Sequence, residues 1–249
     1  MEAVYLHSGT EEAKTVVHML KRAKILGLKQ KVYSIGDDID LTGKRPIMIC
    51  ADGKEHGYSL DLTEKIVATG QKIDKVGFDA HEDFTEESED DRARYGYDIG
   101  KETHYFSSHN LELLRSGYCS EIQFFGCNTN RFVDSKNKYE HGKWIKKNKS
   151  KIMFSRKLDG IDEIRDKTLH VSVDLDVLDD TPYVNLTWSI DGVVQYDDFI
   201  SKLRTLQQNN NIIGVDICGF NVADEEIMLN LPAVRLAMKH YGDIISMFS

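Results

Sequence analysis

The 249-residue sequence has no excess of positive charge: 32 Lys and Arg stand against 41 Asp and Glu, a formal net charge of −9. A general nucleic-acid binder needs a basic footprint to displace counterions, so no nucleic-acid partner is expected. No apolar run reaches the roughly 18 residues of a membrane span, so no membrane association is expected. The N-terminus lacks a signal-peptide pattern, because acidic Glu2 follows Met1 and polar residues recur from His7 onward. A cytoplasmic location is the expectation. The four cysteines, Cys50, Cys119, Cys127 and Cys218, form no C-x-x-C pair, which favours buried reduced thiols over a zinc cluster or a disulfide frame. Internal repeats and breaks in composition are also lacking, so a single domain spanning 1–249 is expected. Charged residues at 29% beside 41% hydrophobic exclude disorder as the main state.

Against these absences stands a regular alternation of apolar runs and helical patterns. Ala3–Leu6, Lys31–Ile35, Pro46–Ala51, Lys72–Asp79, Glu121–Gly126, Lys151–Phe154, Leu169–Leu175 and Ile212–Ile217 read as strands. Helical spacing marks Glu11–Leu26, Ser59–Thr69, Ser108–Ser116, Val194–Gln207 and Glu225–Lys239. Continuous runs of Val, Ile and Phe suit strands covered on both faces. Strands alternating with helices imply right-handed βαβ units, hence an α/β fold of three layers around a mainly parallel sheet of about eight strands. The acidic cluster Glu86–Arg94 reads as a solvated loop or a lid near a site. The basic stretch Lys136–Lys151 reads as the solvated face of a helix, with an anion or RNA patch as the lesser alternative.

In an open parallel sheet, ligands bind beyond the carboxyl ends of the strands. Three strand ends here carry acids and histidines: Asp52 to His56 after one strand, Asp79-Ala80-His81-Glu82-Asp83 after the next, and Asp174-Leu175-Asp176 after a third. Asp79, His81 and Asp83 alternate, as do Asp174 and Asp176, so each set points one way while the backbone stays extended. Four carboxylates converging in a dry pocket cannot all stay ionised without a compensating cation. A donor set rich in carboxylate oxygen, with two imidazoles and no thiolate, favours Mn²⁺ over structural Zn²⁺, and two ions bridged by aspartates would use the ligands well.

These residues resemble those of a known family. Val76-Gly77-Phe78-Asp79-Ala80-His81-Glu82-Asp83 resembles the Asp-Ala-His-x-Asp motif of the ureohydrolases, which include arginase, agmatinase and formiminoglutamase. Ser172-Val173-Asp174-Leu175-Asp176-Val177-Leu178-Asp179 is similar to their Ser-x-Asp-x-Asp-x-x-Asp-Pro motif, and Gly53-Lys54-Glu55-His56 to a worn Gly-Gly-Asp-His. The resemblance implies an arginase/deacetylase-like sandwich with a binuclear manganese centre, two Mn²⁺ per chain. By that implication His56 and Asp83 hold the first ion, His81 and Asp176 the second, and Asp79 and Asp174 bridge both. A bridging water acidified by the two cations would attack an amidine or guanidine carbon. Asp174 is thereby a catalytic candidate as well as a ligand. Proton transfer falls to His109, with His104 the other candidate. Asp179 is expected to brace its loop.

The departures lie on the substrate side. The family places a guanidinium-binding glutamate just after the last strand, where this chain has Gly219. A glycine offers no charge-assisted bond. The Asp-Pro ending of the third motif has become Asp179-Asp180-Thr181-Pro182, followed by Tyr183–Ser189 in place of a glycine- and proline-rich loop. The candidate substrate contacts are Thr85, where the family often has asparagine, and Asp224, beside Glu225 and Glu226. The expected function is Mn²⁺-dependent hydrolysis of a linear C–N bond in an amidine, guanidino or related amide compound. Alternatives are a metal-binding relative without hydrolytic activity and a zinc-dependent amide deacetylase. A small-molecule substrate is expected, and the resemblance allows a homo-oligomer.

Overall fold

A computed structural model describes residues 1–51, 53–81, 83, 109–128, 147–184 and 192–249, and every structural statement below concerns these. Thr85, His104, the Glu86–Arg94 cluster, residues 185–189 and most of Lys136–Lys151 lie outside them. Eight strands form one wholly parallel sheet: β1 (Glu2–His7), β2 (Val32–Ser34), β3 (Lys44–Ile49), β4 (Ile73–Phe78), β5 (Cys119–Phe125), β6 (Ile152–Ser155), β7 (Thr168–Asp174) and β8 (Asn211–Cys218). Their order is β2-β1-β3-β8-β7-β4-β5-β6. Each matches an expected strand to within a few residues. The strands whose ends carry the acidic motifs, β3, β7 and β4, therefore sit together in the middle of the sheet around β8.

The helices are α1 (Glu11–Arg22), α2 (Ser59–Ala68), α3 (His109–Arg115), α4 (Tyr196–Asn209), α5 (Glu225–Leu229) and α6 (Leu231–Phe248). The apolar stripes of α1, α4 and α6 cover one face of the sheet, burying Val16, Leu20, Phe199, Leu203, Tyr241 and Ile244 against Ile47, Val76, Val171 and Ile217. Leu60, Leu62 and Ile66 of α2 and Leu111 and Leu113 of α3 cover the other face with Met48, Ile122 and Ile213. The three-layer α/β/α arrangement is thus present. Among the described residues, no helix is long and apolar enough to cross a membrane.

Two helix boundaries differ from those the periodicity predicts. Thr10 caps α1 by accepting the Ala13 N–H at 3.0 Å, but the helix stops at Arg22 rather than Leu26. Lys24 takes a left-handed φ of 61°, and the N–H groups of Ile25 and Leu26 both turn back to the Leu20 carbonyl. The single helix predicted over Glu225–Lys239 is two. Proline lacks an N–H and clashes with the preceding turn, so Pro232 is accepted only at the start of a helix. It sits in the first turn of α6, whose first N–H groups are capped by Asn230, and α6 then runs on to Phe248.

One feature of the sheet is unusual. On the α1/α4/α6 side the central strands present Val76, Phe78, Leu169, Val171, Val173, Val215 and Ile217, all apolar. On the α2 side the same strands present Lys75, His170, Ser172 and Asp216, all buried. Parallel strands normally bury apolar residues on both faces, so a polar layer lies beneath the site.

Candidate metal centre

The site forms at the carboxyl ends of β3, β4, β7 and β8. After β3 the chain enters a 3-10 turn, Gly53–Tyr58, that presents His56. The turn is tied down by Glu55, whose Oε2 accepts Ser8 Oγ at 2.6 Å and the Ala51 N–H at 2.9 Å, while Oε1 accepts Thr10 Oγ1 at 2.6 Å. Asp79, Ala80 and His81 follow β4, and Asp83 holds a left-handed φ of 49°. Asp174 ends β7, and its Oδ1 accepts the Asp176 N–H at 3.0 Å, starting a 3-10 turn. Asp176 Oδ1 in turn accepts the Ala80 N–H at 3.0 Å, locking the β7 end to the β4 end.

All six ligand candidates converge. His56 Nδ1 lies 3.1 Å from Asp79 Oδ2, 3.1 Å from Asp83 Oδ2 and 4.0 Å from Asp174 Oδ2. His81 Nδ1 lies 2.8 Å from Asp176 Oδ2 and 3.5 Å from Asp79 Oδ1. Asp79 thus turns one oxygen to each histidine. Three donor groups are close enough to hold an ion: Asp79, His81 and Asp176; His56, Asp83 and His109; and His56, Asp174 and Cys218.

The electrostatics call for cations. Burial, with Asp176 and Asp79 nearby, pushes the Asp174 carboxyl up to about 8. Burial and Asp79 push Asp83 up to about 7 and Asp176 up to about 6, despite their histidine neighbours. Burial also acts against charge on Asp79, but His56 and His81 outweigh it and hold its pKa well below the usual carboxylate range. Burial opposes charging of His81, yet Asp176 and Asp79 raise it to about 12. Two buried atoms, His56 Nδ1 and Asp79 Oδ2, face each other at 3.1 Å without hydrogen-bond geometry. Atoms so placed, in a donor set of oxygen and nitrogen, fit a divalent cation. Metal-held carboxylates need no protons.

His109, the proton-transfer candidate, opens α3 and is fully buried. Its ring centroid is 4.7 Å from that of His56, and its Nδ1 is 3.7 Å from Asp83 Oδ2. That placement excludes a surface histidine. Asp224 lies partly buried, and its Oδ1 accepts the Ile227 N–H at 3.2 Å, capping α5. Asp179 braces its loop as expected: its N–H bonds the Val194 carbonyl and its Oδ2 accepts Gln195 Nε2. Gly219 is closed to any side chain. Its φ is +111°, and a Cβ there would sit 2.7 Å from Asp174 Oδ1 and 2.8 Å from the Leu175 nitrogen.

Sequence reasoning passed over the support beneath His56. Its Nε2 lies 2.6 Å from Ser172 Oγ, and Ser172 donates to Asp216 Oδ1 at 2.8 Å. Asp216 Oδ2 accepts Ser59 Oγ at 3.0 Å and lies 2.6 Å from His170 Nε2. Lys75 Nζ donates to Ser59 Oγ at 2.7 Å. The signal was in the alternation: Lys75 and Asp79, His170, Ser172 and Asp174, and Asp216 fall on one face of otherwise apolar strands. Cys218 was read as a buried thiol and is fully buried. Burial and the anions Asp174 and Asp216 push its pKa well up, so it stands as a neutral thiol beside His56 and Asp174.

With this geometry in place, the comparisons are specific. The family model described as the Arginase family matches residues 14–239. No curated protein matches the sequence. Among solved structures, a candidate agmatinase from Clostridium difficile is 16% identical with a TM-score of 0.67, covering 99% of this chain and 96% of that one. Proclavaminate amidino hydrolase from Streptomyces clavuligerus is 13% identical with a TM-score of 0.64, covering 99% and 91%. Formimidoylglutamase from Bacillus subtilis is 13% identical with a TM-score of 0.60, covering 99% and 87%. These identities carry the fold alone, but the family match spans most of the chain and its acidic motifs, and the chain belongs to the arginase family.

Proposed function

We propose that the chain is a metal-dependent hydrolase that cleaves a linear C–N bond in a small amidine, guanidino or related amide compound. The observation that carries this reading is Asp79, whose two oxygens face two different histidines within a pocket of four buried carboxylates. In this reading His56, Asp79 and Asp83, with Asp174, would hold one ion, and His81 and Asp176, with Asp79 and Asp174, would hold the second. Two Mn²⁺ ions, when bound, would supply Lewis-acid activation of a water at neutral pH. Asp174, one oxygen of which is fixed by the Asp176 N–H, would orient the attacking water. His109, buried against Asp83, holds a proton for the departing nitrogen. Thr85 and Asp224 remain the proposed contacts to the substrate. The closed Gly219 removes a carboxylate from the substrate side, which favours a compound other than arginine or agmatine.

The same closure supports a second reading, a metal-binding relative that no longer hydrolyses and serves as a binding or regulatory protein. The test is metal content followed by turnover. Protein loaded with Mn²⁺ and desalted should retain about two ions per chain, and Asp174→Asn should lose at least one ion and turnover while keeping the fold. Two ions with hydrolysis of an amidine or guanidine compound support the first reading. Two ions without turnover across a broad panel support the second. A single zinc per chain would favour an amide deacetylase, and wild-type-like turnover in Asp174→Asn would refute the mechanism.

A further inference from the structure

The register of the sheet sets four residues in one row across the strand ends. Phe78 pairs with Val173, Asp174 with Cys218, and Ile49 with Ile217. The Cys50 N–H continues the last pairing by bonding the Ile217 carbonyl at 2.9 Å. Asp79, Asp174, Cys218 and Cys50 therefore succeed one another at the ends of β4, β7, β8 and β3. Asp79 and Asp174 are proposed ligands to both ions, and Cys218 is the next side chain along the row. Distances agree with the register. The Cys218 sulfur, one nitrogen of His56 and one oxygen of Asp174 all lie within 4.8 Å of one another, and all three residues are buried. The same corner holds polar atoms without hydrogen bonds. His56 Nδ1 is 4.0 Å from Asp174 Oδ2 and 3.1 Å from Asp79 Oδ2, and neither His56 Nδ1 nor Asp79 Oδ2 has a hydrogen-bond partner.

Sulfur differs in kind from the other donors. The four aspartates offer oxygen and the two histidines nitrogen, a set that suits Mn²⁺, whereas thiolate sulfur selects softer ions such as Zn²⁺. The sulfur stands on one side only. The group on the other side, Asp79, His81 and Asp176, contains no cysteine. Cys127 comes near that side, but its Sγ faces the His81 carbonyl at 3.5 Å. Among the described residues, Cys50 and Cys127 belong to none of the three donor groups. We propose that Cys218 is a sulfur ligand on the His56 side of the centre, which makes that position selective for Zn²⁺ over Mn²⁺ and leaves the His81 side as an oxygen and nitrogen position. This rests on the reading of His56 and Asp174 as metal ligands. Ligation breaks the S–H bond, forms the sulfur–metal bond and passes the proton to solvent. The centre would then hold two unlike ions, each matched to its own donors.

The experiment uses the full chain and reads metal binding rather than turnover. Co²⁺ stands in for Zn²⁺, because a sulfur–Co²⁺ bond gives a near-ultraviolet charge-transfer band that oxygen and nitrogen ligands do not. Wild type titrated with Co²⁺ should develop this band. Cys218→Ser should lose it, while Cys50→Ser and Cys127→Ser should keep it. In competition titrations, Cys218→Ser should weaken Zn²⁺ at one position by about 10-fold or more, the low end for groups that only orient metal ligands, and leave Mn²⁺ within about threefold. Two Co²⁺ ions bound to wild type without the band would overturn the proposal with no variant needed. So would a band that survives Cys218→Ser, or an unchanged preference between Zn²⁺ and Mn²⁺ in that variant. Where Cys218→Ser fails to fold, Cys218→Ala replaces it, and the wild-type band with the Cys50 and Cys127 variants still decides. Wild type that holds no divalent ion overturns the metal reading itself, a result distinct from two ions held without sulfur.

Discussion

Substituting Gly219 tests whether the substrate side of this site is closed by the backbone itself. The residue holds φ at +111°, outside the left-handed region that L-residues tolerate, and its N–H bonds the Ala51 carbonyl at 2.7 Å. Holding a non-glycine residue in such a conformation costs about 1–3 kcal/mol. The new Cβ would also meet Asp174 Oδ1 at 2.7 Å and Leu175 N at 2.8 Å, a backbone atom and a proposed ligand, neither free to move. Overpacking of that kind adds about 1–3 kcal/mol. Gly219→Ala should therefore lose about 2–6 kcal/mol, which at roughly 2–4 °C per kcal/mol lowers the thermal midpoint by about 5–20 °C. Gly160→Ala is the control, since its φ is +93° and nothing lies within 4 Å of its Cβ. It carries the backbone cost alone, about 1–3 kcal/mol, without the overpacking. Differential scanning calorimetry on the metal-free proteins separates the two. The stronger form of the test is Gly219→Glu. It supplies the carboxylate that the family places after the last strand, yet it should lose at least as much stability as Gly219→Ala and gain no hydrolysis of arginine or agmatine. A Gly219→Ala midpoint within about 2 °C of wild type, or a Gly219→Glu protein that gains guanidinium hydrolysis, would refute the argument.

Two further outcomes follow from the cluster. Mn²⁺ at 100 times its dissociation constant should stabilise the protein by about 2.7 kcal/mol per ion, raising the thermal midpoint by roughly 5–10 °C for each; no rise at millimolar Mn²⁺ would count against the centre. The Asp174 and Asp83 carboxyls, raised to about 8 and about 7, titrate well above their unfolded values. For an acid raised on folding, the stabilising form is the protonated one, so its contribution is full below about pH 4 and is lost as pH rises through 7 to 8. Metal binding must then release protons, and Mn²⁺ affinity should climb between about pH 6 and 8. Calorimetry in buffers of different ionisation enthalpy measures the release, and a pH-independent affinity would contradict it.

The sheet was legible because its strands are short apolar runs separated by helical periodicity, a signal that depends on nearest neighbours along the chain. The ligand candidates were legible for a related reason: Asp79-x-His81-x-Asp83 and Asp174-x-Asp176 are local patterns, and the strand order puts their carriers side by side. Helix ends were less so. Nothing in the spacing of Val16, Leu20 and Ala23 announces that Lys24 will take a left-handed φ, whereas Pro232 was a visible signal that the apolar pattern outweighed. The polar layer under the site was missed for a different reason. Lys75, His170 and Asp216 lie within apolar strands and meet through hydrogen bonds spanning up to 157 residues, as between Ser59 and Asp216. Such pairings follow from register, and register is set by the whole sheet.

That division bears on how the site can change. Four of the six proposed ligands also carry a fold contact: Asp174 accepts the Asp176 N–H, Asp176 the Ala80 N–H, Asp79 the His81 N–H, and His56 rests on Ser172 and Asp216. Replacing any of these four leaves a buried donor unpaired or a carboxylate without its counter-charge, so the cation-binding side is tied to stability as well as to chemistry. The departures from the family pattern, at Lys54 and Glu55, Thr85, Asp180 to Ser189 and Gly219, spare all six proposed ligands. Gly219 shows how a departure becomes fixed: its φ lets Asp174 Oδ1 and Leu175 pack against the bare Cα, and a carboxylate there would displace a ligand. Position 219 is therefore closed as a route to a different substrate contact, because any side chain there meets Asp174 Oδ1 and the Leu175 nitrogen.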